Sequence, residues 1–350
     1  MKKNNLLILI FIIAVIAVGC KPTAVSEKVD MDNLSNPELT ISDYFPFIAD
    51  TIYDYEGIGN EFAEQKVYFE YIEDDKAQLK IINPATNMVK VLEYGDGALT
   101  EIYYEGEFYH IENLLNIKDE QSNVLIKEPL IVGNSWTTPD GYNRSITGLD
   151  VEINTPMDSF EALEVTTDLG EGKIQKHYYA RDIGMVANVY EDGHGKVETL
   201  LKSMNNESLK TAIEIYYPLN SEINTVYTMG NIDFYTNQSL AKLLENLMKN
   251  PPSNDLMSIL PDAATINSIK LDRITWTLKV DFSEELLTDM NAGSSLETEI
   301  LKSIVNTLGR FYDVENVYIS VGGKPYESGH YAITDDEFFR VNVEEIEMYK

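Results

Sequence analysis

The stretch from Asn237 to Asp281 reads NQSLAKLLENLMKNPPSNDLMSILPDAATINSIKLDRITWTLKVD. Leu240, Leu243, Leu244, Leu247 and Met248 recur at i, i+3, i+4, i+7 and i+8, which predicts an amphipathic helix with one apolar stripe. Asn237 or Ser239 can accept the free N–H groups of its first turn. Pro251-Pro252 ends it, because proline has no N–H to donate and clashes with the turn before it. Two β-rich runs follow, Thr265–Lys270 and Thr275–Asp281. In the second, Trp276, Leu278, Val280 and Phe282 alternate with Thr277, Lys279 and Asp281, the pattern of a half-buried strand. Leu271-Asp272-Arg273 is short enough to join the two runs as a hairpin.

The same grammar continues on both sides. Ser294 or Ser295 can cap a second helix, with Leu296, Ile300, Leu301, Ile304, Val305 and Leu308 on one face. Gly309 stands where a left-handed C-terminal residue is expected. Val314–Val321 reads as a strand closed by Gly322-Gly323, and Ala212–Tyr217 as one stopped by Pro218. The order β–α–β–β–α–β predicts an α+β unit with both helices on one face of a sheet.

These blocks also carry a family resemblance. They are IYYP (Ile215–Pro218), the helix LAKLLENLMKNPP (Leu240–Pro252), ILPDAATINSIKLD (Ile259–Asp272), WTLKVDFSEEL (Trp276–Leu286), ILKSIVNTL (Ile300–Leu308), VENVYISVGGKP (Val314–Pro325), Gly329-His330 and FFRV (Phe338–Val341). In this order, from Ile213 to Asn342, the chain resembles the GerM-type (GerMN) sporulation and spore-germination domain. One departure lies in the tail, where Asp335, Asp336 and Glu337 precede Phe338-Phe339 and make that edge more acidic than the family pattern. The resemblance implies a cell-surface or sporulation setting and a binding or assembly role, with no catalytic residues. Domains of this kind resemble the ring-forming modules of envelope assemblies. That leaves two expectations, weak self-association on a membrane or binding of a single partner without self-assembly, while the acidic charge keeps the chain monomeric in dilute solution.

The chain opens with a targeting pattern. Lys2 and Lys3 precede an apolar run from Leu6 to Val18, and Ala17-Val18-Gly19 lead into Cys20. The run is short for the roughly 20 residues of a membrane span. Residues 1–19 therefore read as a lipoprotein signal peptide, with Cys20 as the lipidation site. Cys20 is the only cysteine, so the fold holds no internal disulfide. Each buried CH₂ of an acyl chain on Cys20 strengthens membrane attachment by about 0.8 kcal/mol. Residues 20–39 are polar and form a flexible tether. The expected place is the extracytoplasmic face of the cell membrane, held by the N-terminal lipid.

Residues 40–206 read as an antiparallel β-rich domain. Val67–Ile72, Ala77–Ile82, Met88–Tyr94, Leu99–Tyr104 and Glu107–Ile111 are short alternating runs separated by turn residues. Ser145–Asn154, Phe160–Thr167, Ile174–Ala180 and Met185–Tyr190 follow, and Asp192-Gly193 marks a hairpin. This spacing predicts a sheet curled or doubled into a sandwich or open barrel. Gly133-Asn134-Ser135-Trp136, Phe160–Val165, Tyr178-Tyr179-Ala180 and Ile183–Val186 resemble β-sheet domains of bacterial lipoproteins. Trp136, Phe160, Leu163 and Val165 are expected in the core, and a lipid- or peptide-binding groove is the functional alternative. Residues 207–350 form the GerM-like α+β domain. The polar junction Asn205–Ser208 predicts two units, each with its own core.

The formal charge is −31, which repels nucleic acid and anionic headgroups and favours a basic or neutral envelope protein as partner. No Walker loop, GxGxxG, HExxH or GxSxG motif is present. His110, His177, His194 and His330 are scattered without metal-ligand spacing, and the acidic clusters lack an EF-hand pattern. No catalytic residue, cofactor or metal is expected. The reading is a lipid-anchored scaffold or interaction protein of sporulation, germination or cell-envelope assembly. The alternative is a lipoprotein that captures a cell-wall fragment or lipid.

Overall fold

The computed structural model describes residues 39–119 and 122–350. The signal peptide, Cys20 and all of the tether except Leu39 lie outside the described residues. Among those described, no helix is long and apolar enough to cross a membrane.

The first half is built from β1 (Thr51–Ile58), β2 (Gln65–Glu73), β3 (Lys76–Ile82), β4 (Asn87–Gly95), β5 (Ala98–Gly106), β6 (Asn123–Lys127), β7 (Ser135–Thr137), β8 (Asn143–Asn154), β9 (Ser159–Gly170), β10 (Lys173–Ala180), β11 (Gly184–Glu191) and β12 (Lys196–Asn206). They form one antiparallel sheet in the order β6-β5-β4-β3-β2-β1-β12-β11-β10-β9-β8-β7. The sheet curls until its two edges meet. Trp136 of β7 donates its indole N–H to the Val124 carbonyl of β6 at 2.9 Å, and Arg144 of β8 donates to the same carbonyl at 2.7 Å. Trp136, Leu163 and Val165 are buried inside the curl, and Phe160 packs at its margin. A short helix α1 (Ile41–Tyr44) leads into Phe45. This segment is fastened to the β10–β11 turn, where the Asp182 N–H meets the Asp43 carbonyl at 2.8 Å, and to the Tyr94 hydroxyl of β4.

The strand expected over Glu107–Ile111 is instead a loop. Glu107 turns the chain at φ 57°, and Phe108, Ile111, Leu114 and Leu115 drop off the sheet into a buried cluster.

The second half comprises β13 (Leu209–Pro218), β14 (Thr225–Phe234), α2 (Leu240–Lys249), β15 (Ile266–Asp272), β16 (Thr277–Phe282), α3 (Glu285–Thr288), α4 (Ser294–Tyr312), β17 (Asn316–Val321), β18 (Lys324–Pro325) and β19 (Phe339–Arg340). The expected order β–α–β–β–α–β lacks β14. Gly230-Asn231 interrupts that strand's sequence like a turn, yet β14 pairs with β13 along its whole length as a separate hairpin. The other sheet runs β15-β16-β17-β18, with β19 also on β17. Strands β16 and β17 are parallel and are joined through α4.

Three local expectations change. Trp276 is not in the strand; it sits in the β15–β16 turn at φ 53°, while Leu278, Val280 and Phe282 are buried as expected. Gly309 is not a cap. It lies inside α4, where a Cβ would stand 2.2 Å from a Val341 methyl, and Asp313 takes the left-handed position at φ 52°. Nor do the helices share one face of one sheet. Helix α2, capped by Ser239, packs on β14 and β15, whereas α4 packs on β13 as well as on β16 and β17. Helix α4 is consequently buried around its circumference from Ser303 to Gly309.

The apolar core does not stop at the polar junction. Tyr68, Val89, Val91 and Ile102 of the curled sheet, with Phe108 and Leu114 of the loop, join Ile213, Phe234, Leu271 and Tyr312 in one cluster. The curl keeps a core of its own around Leu79, Leu99, Trp136 and Leu163, but the core of the second half is shared with it, because Tyr68, Val89 and Val91 point out of the curl and need cover. A chain of residues 207–350 alone should therefore melt well below the full chain, as read from circular dichroism of both. An isolated second half that is as cooperative and as stable as the intact protein would contradict the shared core.

Candidate functional site

Period-two spacing builds a cavity on the inner face of the curl. Tyr53 and Tyr55 of β1, Val67 and Phe69 of β2, Leu79 and Ile81 of β3, and Met88, Lys90 and Leu92 of β4 each recur at i, i+2 and share one wall. His177, Tyr179, Met185 and Asn188 of β10 and β11 form the wall opposite, and Phe45 with Ile183-Gly184 contributes at the fastened end. Gly184 adopts φ 106°, which a side chain would resist, so the turn into β11 depends on glycine here. The volume is about 390 Å³, within the range of small-molecule pockets.

The polar groups of the cavity are few. Tyr53 and Tyr55 spend their hydroxyls on the carbonyls of Ile183 and Met185, at 3.1 and 2.8 Å. Lys90 is neutralised by Glu101 at 2.7 Å. His177 stacks near Tyr179 at 6.2 Å, and no hydrogen bond to its ring is found among the described residues. Burial first, then the charges of Arg144 and Lys90, pushes its imidazole down to about 3, so the ring is neutral.

The outer face of β2 and β3 carries a second polar cluster, beneath the second half of the chain. A bulge in β2 brings Glu70 onto this face, where it meets Lys80 at 3.0 Å with both side chains out of water. Gln78 donates to Glu70 at 2.7 Å and to the Glu112 carbonyl at 2.8 Å, and accepts the Leu114 N–H at 2.7 Å. Lys80 also donates to the His110 carbonyl and lies 5.0 Å from the centre of the Phe108 ring. From the β15–β16 turn, Arg273 reaches Glu112 at 2.8 Å and Glu105 at 3.3 Å. Burial raises the Glu112 carboxyl, but the bonds from His110 and Arg273 outweigh it and hold the group below its ordinary value. Beside this cluster the segment after β14 runs along β2. Asn237 bonds the Ile72 backbone in both directions, at 2.9 and 2.8 Å, and Thr236 donates to the Phe69 carbonyl at 2.7 Å. Asn237 is thus a strand partner, not a helix cap.

Of the four histidines, His110 belongs to this buried cluster, His177 to the cavity wall, and His194 and His330 are exposed. Among the described residues no three metal-ligating side chains gather. The sequence reading missed Glu70, Gln78 and Lys80, which look like the solvent side of alternating strands. The signal was present: Val67, Tyr68, Phe69, Tyr71 and Ile72 are apolar on both parities, as in a strand covered on both faces.

Residues 214–327 match the family model Germane, described as sporulation and spore germination. A search of curated proteins finds no match. Among solved structures, the first GerMN domain of the sporulation protein GerM from Bacillus subtilis is 21% identical, with 37% of this chain and 97% of that one covered and a TM-score of 0.27. The tandem GerMN domains of the same protein are also 21% identical over 37% of this chain, with a TM-score of 0.28. The match spans 46% of that longer chain, less than half its length. A protein described as a lipoprotein from Parabacteroides distasonis is 13% identical, with 46% and 98% covered and a TM-score of 0.28.

Two measurements test the geometry. Lys80→Met leaves Glu70 buried and unpaired and should cost about 3–5 kcal/mol in urea unfolding, with Glu70→Leu in the same chain restoring most of it. Additive losses would show that the two charges do not depend on each other. The unfolded chain protonates His177 below pH 6.5 and the folded chain only near 3. The stability from this site is complete above pH 6.5 and is lost as pH falls toward 3, by up to about 1.4 kcal/mol per pH unit. His177→Gln should flatten that acid limb; an unchanged slope would place the titrating group elsewhere. The segment that matches the Germane family model, residues 214–327, runs from within β13 to just past β18.

Proposed function

We propose that this chain is a lipid-anchored extracytoplasmic interaction protein of sporulation or spore germination, working by holding partners and not by catalysis. The Germane match over residues 214–327 carries this reading. The apolar run ending at Gly19-Cys20 supports the anchor, and the core shared by both halves supports a rigid scaffold that presents one fixed surface to an envelope protein. A second reading, a lipoprotein that captures a ligand, is favoured by the cavity of about 390 Å³. Its apolar wall suits a lipid better than a cell-wall sugar.

Metabolic labelling with a fatty-acid analogue should mark the wild-type chain and not Cys20→Ala, and only the former should fractionate with the membrane. Crosslinking during sporulation should then capture an envelope protein through the wild-type chain. Equal labelling of both chains would remove the anchor, and an unchanged spore yield and germination rate in a deletion strain would remove the sporulation role.

A further inference from the structure

The second reading can be taken further, and the following rests on it. The cavity has room for about a dozen methylene-sized groups, at roughly 30 Å³ each, the share of a water molecule in the liquid. Its walls are mostly aliphatic and aromatic, so they reward burial of a hydrocarbon chain, and their few polar groups suit a small head group better than a whole sugar or a charged peptide. A carboxylate brought inside finds no free cation among the described wall residues: Lys90 is already held by Glu101 at 2.7 Å, and a second acid beside that pair would be repelled. The chain as a whole is strongly acidic, which further disfavours an anionic guest.

One polar group on the wall asks for a partner. The neutral His177 ring has one N–H donor and one nitrogen acceptor, borders the cavity, and has no hydrogen bond among the described residues. A ligand hydroxyl can donate or accept there, and an ester carbonyl can accept. Asn188, held by Gln175 at 3.2 Å, and Gln65 add further neutral bonding groups on the same cavity. We infer that the cavity is a binding site for a neutral single-chain amphiphile, an aliphatic chain with a hydroxyl- or ester-bearing head that bonds to His177. A membrane anchor at Cys20 would keep such a site close to a source of lipid.

The test uses the chain from Lys21 onward, which retains every described residue, purified free of detergent. The probes are 1-monolauroylglycerol and laurate, each titrated at pH 8 against a fluorescent apolar dye bound to the protein. Monolauroylglycerol should displace the dye with one molecule per chain at micromolar concentration, and laurate should need at least tenfold more. Leu125→Trp and Met88→Trp, both at partly exposed wall positions, should each weaken binding at least tenfold with unchanged thermal unfolding. His177→Leu should weaken monolauroylglycerol about fivefold to tenfold more than it changes dye affinity, the effect of one hydrogen bond. Laurate binding as tightly as monolauroylglycerol would overturn the inferred head group while leaving the ligand-binding reading intact. Wild-type binding of neither probe nor dye would sink both. Binding unaffected by both tryptophan variants would place the site elsewhere and overturn the inference.

Discussion

The central residues of strands β2 to β4 are covered on both faces, and the rest of the molecule follows from that constraint. Their inner residues wall the cavity, and their outer residues are roofed by the second half of the chain. A strand in that position cannot keep ordinary surface residues, because a buried charge without a partner costs several kcal/mol. Glu70 and Lys80 answer the demand for each other, and Gln78 ties the pair to the 107–115 loop. The loop abandons strand geometry for the same reason. As a sixth strand its Phe108 and Leu114 would leave the gap between the halves, and Lys80 would lose the His110 carbonyl.

The two faces of these strands are mechanically joined. Interiors pack as densely as organic crystals, so a side chain displaced on the outer face of β3 shifts its neighbours on the inner face, one residue along. Leu79 and Ile81 of the cavity wall alternate with Gln78 and Lys80 of the buried cluster. The backbone clasp of Asn237 on Ile72 adds a second connection, since it fixes the start of α2 relative to the end of β2. This construction holds the Germane-matching segment and the cavity in one orientation, unlike two modules on a flexible linker.

Periodicity made most of the elements legible from the sequence. Helix α2, strands β15 and β16, and the meander from β2 to β5 follow from apolar spacing and turn residues alone. What stayed hidden is relational. The polar side of β3 carries the same Gln and Lys that would face solvent in a one-sided sheet, and only β2, apolar on both parities, hints at a covering layer. The periodicity of α4 shows a stripe, yet Ser303, Asn306 and Thr307 on its other sides are buried too. Thr307 accepts the Tyr216 N–H of the hairpin at 3.0 Å, and Asn306 exchanges bonds with the Asn342 backbone at 2.7 and 2.9 Å. Small polar residues with backbone partners satisfy a buried helix as well as apolar ones, and sequence spacing does not reveal those partners. The cavity was legible only as an alternative, because an alternating aromatic strand looks the same whether its inner face meets side chains or a void.

The acidic tail shows how surface charge and architecture serve each other. The β13–β14 hairpin is a sheet of only two strands, which leaves an edge of β14 open to pairing with another chain. The C-terminal segment lies against that edge: the Tyr227 N–H meets the Glu347 carbonyl at 3.1 Å, and the Tyr349 N–H meets the Tyr227 carbonyl at 2.8 Å. Tyr349 also bonds Asp255 and Ser253 through its hydroxyl, each at 3.0 Å, which pins the segment at its end. Glu344, Glu345 and Glu347 then stand exposed along the strip where a second copy would have to approach. Backbone pairing removes part of the unsatisfied edge, and like charge on two copies penalises what remains. On a chain that already carries −31 formal charges, this strip places repulsion at the position where strand addition would otherwise be easiest.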